Sequence, residues 1–177
     1  MENYKKYDIE LSLVTEEDAQ FILDLRTDAS KSRFISKTDY NIDVQKNWIK
    51  EYKKREKVGV EFYFIAIDNT GQKFATYRLY NFDPIKNEIE IGSFISKPNY
   101  TNASNIVKLD ILIKEYAFEV LGVTNVNFEV RKKNISVQNY HKKFDPIIVK
   151  ESELDTYFIL SRDNFTKAKN RFKTLLN

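Results

Sequence analysis

Cysteine is absent from this chain of 177 residues, and histidine, methionine and tryptophan occur once each. Without cysteine there are no disulfides, no thiol nucleophile and no zinc–thiolate site. With His141 as the single imidazole, histidine-rich metal sites fall away as well, and no metal is expected. Glycine and proline are scarce, at four and three, and no stretch reads as a linker, a repeat or a low-complexity tract. Long apolar runs are missing too. The longest, Phe62 to Ile67, is far too short to span a bilayer, and Met1 to Tyr7 has no apolar segment of a secretory signal. The expectation is a soluble cytoplasmic protein with no membrane partner. A strong excess of one charge is also lacking: 29 basic and 26 acidic residues are interspersed for a net +3, which argues against a nucleic-acid partner. The basic tail residues Lys167, Lys169, Arg171 and Lys173 recur at helical spacing and read as a solvated face.

What is present is core material. Hydrophobic residues make up 42% and aromatics 14%, enough for one domain over residues 1–177 with one core. Ile9 to Val14 reads as a strand. Thr15-Glu16-Glu17-Asp18 has the form of a capping box before a helix with Phe21, Ile22 and Leu25 on its apolar side. A second helix starts at Asp43, with Val44, Trp48 and Tyr52 spaced along one face. Glu61–Asp68 and Lys73–Tyr80 form a hairpin about Asp68-Asn69-Thr70-Gly71, and Glu88–Ile95 is the next strand. The polar loop Ser96–Asn105 then feeds an amphipathic helix carrying Ile106, Leu109, Ile113, Tyr116, Ala117 and Val120, closed by Gly122. A strand about Val126, Phe128 and Val130, a helix over Ile135–Phe144, strands Ile147–Lys150 and Tyr157–Ser161 and a basic C-terminal helix complete the chain. The order β-α-α-β-β-β-α-β-α-β-β-α is mixed α/β and excludes a strictly alternating doubly wound sheet.

A loop that opens a helix presents backbone N–H groups at the positive end of the helix dipole, a setting suited to phosphate. Here the residues around that loop run E-I-G-S-F-I-S-K-P-N-Y-T-N-A-S-N-I from Glu90, then K-E-Y-A-F-E-V-L-G-V-T-N-V-N-F-E-V, then R-K-K-N-I-S-V-Q-N-Y-H-K-K-F. This text resembles the Gcn5-related N-acetyltransferase (GNAT) superfamily, in its branch of ribosomal-protein N-terminal acetyltransferases and bacterial nucleotide-sugar N-acyltransferases. Leu25-Arg26-Thr27-Asp28 and Trp48 fit that branch in the N-terminal half, so the resemblance covers nearly the whole chain. It implies an α/β (α+β) single-domain GNAT fold: a mixed, mostly antiparallel central sheet of about seven strands flanked by helices. One departure concerns the pyrophosphate loop, whose usual glycines are replaced. Thr101, Ser104 and Ile106 occupy the signature positions, although Asn and Ser tolerate tight turns and donate hydrogen bonds.

The resemblance implies acyl-CoA as co-substrate. Phe94, Ile95 and Ser96 would offer backbone to the pantetheine arm, and Thr101, Asn102, Ala103, Ser104, Asn105 and Ile106 would cradle the pyrophosphate. Asn134 matches a pantetheine-contacting position and equally suits a helix N-cap. His141 stands where the family places its proton donor, and an imidazolium is chemically competent to protonate a thiolate; the alternative is a packing residue. Glu90 is the candidate base, and Glu88 shares its strand face. Arg26, Arg33, Arg78, Tyr80 and Phe82 border the acceptor side, suited to a nucleotide diphosphate, with a structural ion pair and core packing as the plain alternatives. The function implied is acyl transfer from acyl-CoA to the amine of a nucleotide-linked amino sugar, such as a dTDP-3-amino-3,6-dideoxyhexose, in surface-polysaccharide biosynthesis, by a monomer or homodimer. A protein N-terminal acetyltransferase and a non-catalytic acyl-CoA-binding module are the alternatives.

Overall fold

The computed structural model describes residues 4–31 and 34–177. Its strands are β1 (Tyr4–Lys6), β2 (Ile9–Leu13), β3 (Phe62–Asp68), β4 (Lys73–Asp83), β5 (Glu88–Ser96), β6 (Asn125–Arg131), β7 (Ile147–Glu151) and β8 (Asp155–Ser161). They form one sheet in the order β1-β2-β3-β4-β5-β6-β8-β7. The helices are α1 (Ala19–Thr27), α2 (Ile42–Lys57), α3 (Ala103–Glu115), α4 (Ile135–Lys142), α5 (Arg162–Lys169) and the short α6 (Lys173–Leu176). The sheet has eight strands because Tyr-Lys-Lys at β1 pairs antiparallel with β2, and a three-residue strand with one apolar side chain leaves no periodic trace in a sequence.

Alternation along the strands separates two cores. Tyr63 and Ile65 join Val14, Ala19, Ile22, Ile49 and Tyr52 beneath α1 and α2. Phe62, Phe64 and Ala66, pointing the other way, enter the larger core with Leu109, Ile113, Phe118, Phe144 and Phe165. The capping box is present: the Thr15 backbone N–H donates to the Asp18 carboxylate at 2.8 Å. On α2 the buried face runs Gln45, Ile49, Tyr52, whereas Val44 is 61% exposed. Val44 is uncovered because that edge of the helix borders an open cleft. Of the C-terminal basic residues, Lys167, Arg171 and Lys173 are exposed as expected, and Lys169 is half-buried. Lys169 pairs with the fully buried Glu115 at the end of α3, and Arg171 donates to the Lys143 carbonyl at 2.8 Å, so these two fasten the last helices to the body. Among the described residues no helix is long and apolar enough to cross a membrane.

One feature of the sheet positions the site. All neighbouring strands are antiparallel except β5 and β6. These two are parallel through only three pairs, Glu88–Asn125, Ile89–Val126 and Glu90–Asn127. Beyond Glu90 the strands part, with β5 continuing to Ser96 and β6 to Arg131.

Candidate active site

The parting of β5 and β6 leaves the backbone of β5 from Ile91 to Ser96 without β6 as a ladder partner. Within that stretch the register with β4 slips between Thr76 and Arg78, and Ser93 adopts a left-handed backbone with φ 53°. This is a β-bulge, which takes backbone groups out of the regular ladder. Of the residues expected to contribute main chain here, Phe94 leans on Tyr77 at 5.1 Å and Ile95 is buried. The Ser96 hydroxyl accepts from Lys31 Nζ at 3.2 Å.

Face assignment follows from the strand period. Ile89 and Ile91 of β5 and Val126 and Phe128 of β6 point into the larger core under α3 and α4. Glu88 and Glu90 therefore face the other side, with Arg78, Tyr80 and Asn127. His141, on α4, packs its ring 4.6 Å from Phe128, on the α3–α4 side. The two candidate proton-transfer residues thus lie on opposite faces of the sheet, and the gap between β5 and β6 is the opening that joins those faces.

On the open face Glu90 accepts hydrogen bonds from the Tyr80 hydroxyl at 2.7 Å and from Asn81 Nδ2 at 2.9 Å. Burial and the bond to Glu90 raise the Tyr80 phenol above its ordinary range, so it remains a donor. Glu88 is held by Asn125 and Asn127 of β6 at 3.1 and 3.0 Å. Beside this lies a cleft of about 370 Å³ whose walls include Arg26, Thr38, Gln45, Trp48, Tyr63, Arg78 and Ser93. The Arg78 guanidinium lies 5.0 Å from the Trp48 ring and 4.6 Å from that of Tyr80. Its Nη2 and Nε donate to Glu61 at 2.6 and 3.2 Å, and Glu61 also takes Arg55 at 2.5 Å.

These contacts redefine the predicted acceptor set. Arg26 does line the cleft, but its Nε is spent on Thr38 Oγ1 at 2.7 Å and its Nη2 on Ser36 Oγ at 2.9 Å. It holds the segment between α1 and α2 in place as a wall. Arg78 likewise has only part of its fork left for a ligand. Tyr80 supports Arg78 from behind, and Phe82 packs against the larger core instead of the cleft. Arg33 lies outside the described residues. The residues that sequence reasoning missed here are Tyr63, Gln45 and Ser93; Tyr63 is hidden inside the apolar run of β3, and the bulge at Ser93 has no local signature. Trp48 was legible as a motif residue, but not as a cleft wall.

The loop before α3 makes up for its missing glycines through side-chain bonds. Asn102 is the N-cap and accepts from the Asn105 backbone N–H at 3.3 Å, while Ser104 Oγ donates to Asn102 Oδ1 at 2.6 Å. Asn105 is buried and donates to Tyr100 Oη at 2.7 Å; Tyr100 donates onward to Asp68 at 2.9 Å and stacks on Phe74 at 4.6 Å. Ile106 packs on the larger core, which leaves Thr101, Asn102, Ala103 and Ser104 at the surface of the helix mouth. Asn134 occupies the N-cap position of α4, but its side chain caps no backbone N–H and accepts from Ser136 Oγ at 3.3 Å.

Behind the gap, on the α3–α4 side, sits a buried ionic cluster. Asp110 accepts from Tyr77 Oη at 2.7 Å, from Tyr140 Oη at 2.6 Å and from Lys114, whose side chain is fully buried. Burial alone would raise the Asp110 carboxyl. Lys114, then His141 and the hydrogen bonds from Lys114 and Tyr140, overcome this and bring it to about 2. His141 goes the other way: burial first and the Lys114 charge second lower it to about 4, against an opposing pull from Asp110. The imidazolium donor expected from an ordinary histidine is therefore not what the structure supplies at neutral pH. The ring is neutral, with Nδ1 buried and unpartnered among the described residues.

Comparison with known proteins agrees with this fold. The acetyltransferase (GNAT) domain matches residues 8–145. The solved structure of apo FdhC, described as a nucleotide-linked sugar GNAT, is 32% identical, covers 99% of this chain and 99% of its own, and superposes with a TM-score of 0.88. Ribosomal-protein-S5-alanine acetyltransferase from Vibrio fischeri shares the fold at 11% identity and a TM-score of 0.78, over 93% of this chain and 99% of its own. A variant of spermidine N-acetyltransferase SpeG from Vibrio cholerae does so at 13% and 0.73, over 92% and 98%. No curated protein matches the sequence at the same stringency. With the domain matched over most of its length and a full-length relative above 30% identity, the chain belongs to the GNAT acetyltransferase family and is an acyl-CoA-dependent N-acyltransferase.

Proposed function

We propose that the protein transfers an acyl group from acyl-CoA to the amino group of a nucleotide-linked amino sugar. The observation that carries this reading is the placement of the cleft walled by Trp48, Tyr63, Arg26 and Arg78, which opens on the same sheet face as Glu90. The Trp48 ring and the part of the Arg78 fork that Glu61 does not hold suit the base and diphosphate of a nucleotide, and the likeness to a nucleotide-linked sugar GNAT points the same way. Acyl-CoA enters from the α3–α4 side as substrate, its pantetheine arm along the β5 backbone at Phe94 to Ser96 and beside Asn134, its pyrophosphate at Thr101 to Ser104. The thioester carbonyl then lies in the gap. The sugar amine attacks it from the opposite face, a backbone N–H of the Ser93 bulge stabilises the oxyanion, and Glu90 takes the proton of the amine. The leaving thiolate, with an ordinary pKa near ~8.5, recovers its proton from water at neutral pH. A dTDP-3-amino-3,6-dideoxyhexose is the acceptor class we infer, and an acyl group larger than acetyl, such as 3-hydroxybutyryl, is the donor to test beside acetyl.

The first experiment is isothermal titration with acetyl-, butyryl- and 3-hydroxybutyryl-CoA and free coenzyme A, followed by turnover with a dTDP-linked amino sugar. Micromolar binding that discriminates among acyl groups, with turnover, supports the reading; no binding of any of them refutes it. Ser104→Asp is expected to weaken coenzyme A binding on the order of tenfold or more, by setting a carboxylate against the pyrophosphate. Unchanged affinity would move the pyrophosphate elsewhere. Trp48→Ala is expected to raise KM for the nucleotide sugar on the order of tenfold while leaving acyl-CoA affinity intact. An unchanged KM would remove the cleft from the acceptor site.

A further inference from the structure

Three unusual features of β4 and β5 converge on one carboxylate. In a regular strand successive side chains point to opposite faces, so Tyr80 and Asn81 should not both reach Glu90. They do because β4 is bulged between Tyr80 and Asp83, with Asn81 in a left-handed conformation at φ 53°. The extra residue swings Asn81 onto the face that Tyr80 already occupies, and each donates to a different oxygen of Glu90, at 2.7 and 2.9 Å. Asparagine is among the few residues that take up this backbone readily and still carry a donor. The third feature is Gly92, which lies opposite Arg78 and two residues along from Glu90 on the same face. A Cβ there would sit 2.6 Å from the Tyr80 hydroxyl oxygen. The glycine is what lets Tyr80 lie flat enough to reach Glu90, the role a strand glycine has where another group must come close.

We infer that Tyr80, Asn81 and Gly92 form a positioning set for Glu90, fixing both carboxylate oxygens so that the side chain meets an incoming amine in one orientation. This rests on the reading of Glu90 as the base. Both oxygens keep lone-pair capacity after one bond each, so the carboxylate is held without being consumed. The set also ties the base to the acceptor cleft, since the Arg78 guanidinium stacks on the Tyr80 ring. The other charged groups facing this region are Glu88 on β5, held by Asn125 and Asn127, and Glu129 on β6, which acts on Tyr80 electrostatically.

The test uses Tyr80→Phe, Asn81→Gly and Gly92→Ala, with Glu90→Gln as reference. Asn81→Gly preserves the left-handed bend and removes only the amide. Each of the three is expected to lower kcat about tenfold or more, the loss of one hydrogen bond to a charged group. The acidic limb of the pH–rate profile should move with it, while affinity for acetyl-CoA by titration calorimetry stays within twofold. Gly92→Ala should reproduce Tyr80→Phe and add nothing in the double variant. A readout that needs no turnover is the side-chain amide resonance of Asn81 in ¹⁵N-labelled protein, assigned by its loss in Asn81→Gly. It should shift in Glu90→Gln and in Tyr80→Phe. An unmoved resonance, or an unmoved acidic limb with full kcat in Tyr80→Phe, overturns the inference. Full kcat in Glu90→Gln would instead fail the base reading on which it rests. If wild-type protein leaves the nucleotide amino sugar untouched, the acceptor reading fails, and the same variants are read on whichever amine of a panel is acylated.

Discussion

Lys114→Met is expected to destabilise the fold by about 3–5 kcal/mol, the cost of leaving a buried carboxylate without its cation. Lys114 has no exposed surface, its ammonium lies 4.7 Å from the Phe144 ring, and its ion-pair partner Asp110 is 5% exposed. Burial draws the Lys114 amine down from its ordinary range, and the Asp110 carboxylate opposes that pull. Removing the cation leaves Tyr77 and Tyr140 as the donors on a charge that water cannot reach. Against a total stability of roughly 5–15 kcal/mol this is a large share, and a fall in Tm of roughly 6–20 °C follows for a chain of this size. Urea denaturation measures it. The control is Asp110→Asn combined with Lys114→Met, in which neither charge of the pair remains. This pair should cost clearly less than the sum of the two single changes, because the partners are in contact. A cost below 1 kcal/mol for Lys114→Met, or strict additivity in the double variant, would show that the pair carries no such energy.

The legibility of this molecule in its sequence divides along the range of the interactions. The helices and the inner strands were readable because their signals are local: the capping box at Thr15 to Asp18, the alternation in β5, the stripe of α3, whose helical course runs on as a π-helical turn over Tyr116–Val120 before Gly122 at φ 74°. The resemblance carried the architecture as a whole, a mixed and mostly antiparallel sheet flanked by helices. What stayed hidden depends on which residues meet across the sheet. That Arg78 spends its fork on Glu61, and Arg26 on Ser36 and Thr38, follows from strand register and from the path of a loop. Asp110 and Lys114 sit at i and i+4, a spacing that on most helices marks an exposed pair; Tyr77 of β4, Tyr140 of α4 and Phe144, packed around them, make it a buried one. Asn81 falls just past the strand expected over Lys73–Tyr80, and the bulge that turns it towards Glu90 has no local signature. Gly92 was visible as a glycine within a strand, but the reason for it lies on the neighbouring strand, in Tyr80.

The single histidine should give the stability curve its steepest slope between neutral and mildly acidic pH. Burial and the Lys114 charge hold His141 at about 4 in the folded protein, against roughly 6.5 in an unfolded chain. The folded value is the lower one, so on acidification the unfolded state takes up the proton first. Stability contributed by the neutral ring is complete above about pH 6.5 and is lost as pH falls towards 4, a difference of about 3 kcal/mol from this residue alone. Asp110, at about 2 when folded, stays ionised across that window and does not add to the slope until its unfolded counterpart begins to titrate near pH 4. Urea denaturation of the wild type at intervals from pH 7.5 to 4.5 should show the decline, and His141→Phe should flatten most of it. A wild-type slope that survives unchanged in His141→Phe would mean that the ring is charged or accessible in the folded protein. That same result would return His141 to candidacy as the proton donor for the thiolate, since an imidazolium at neutral pH is what such a donor requires. Stability against pH therefore decides between a packed neutral ring and a catalytic acid before any substrate has been identified.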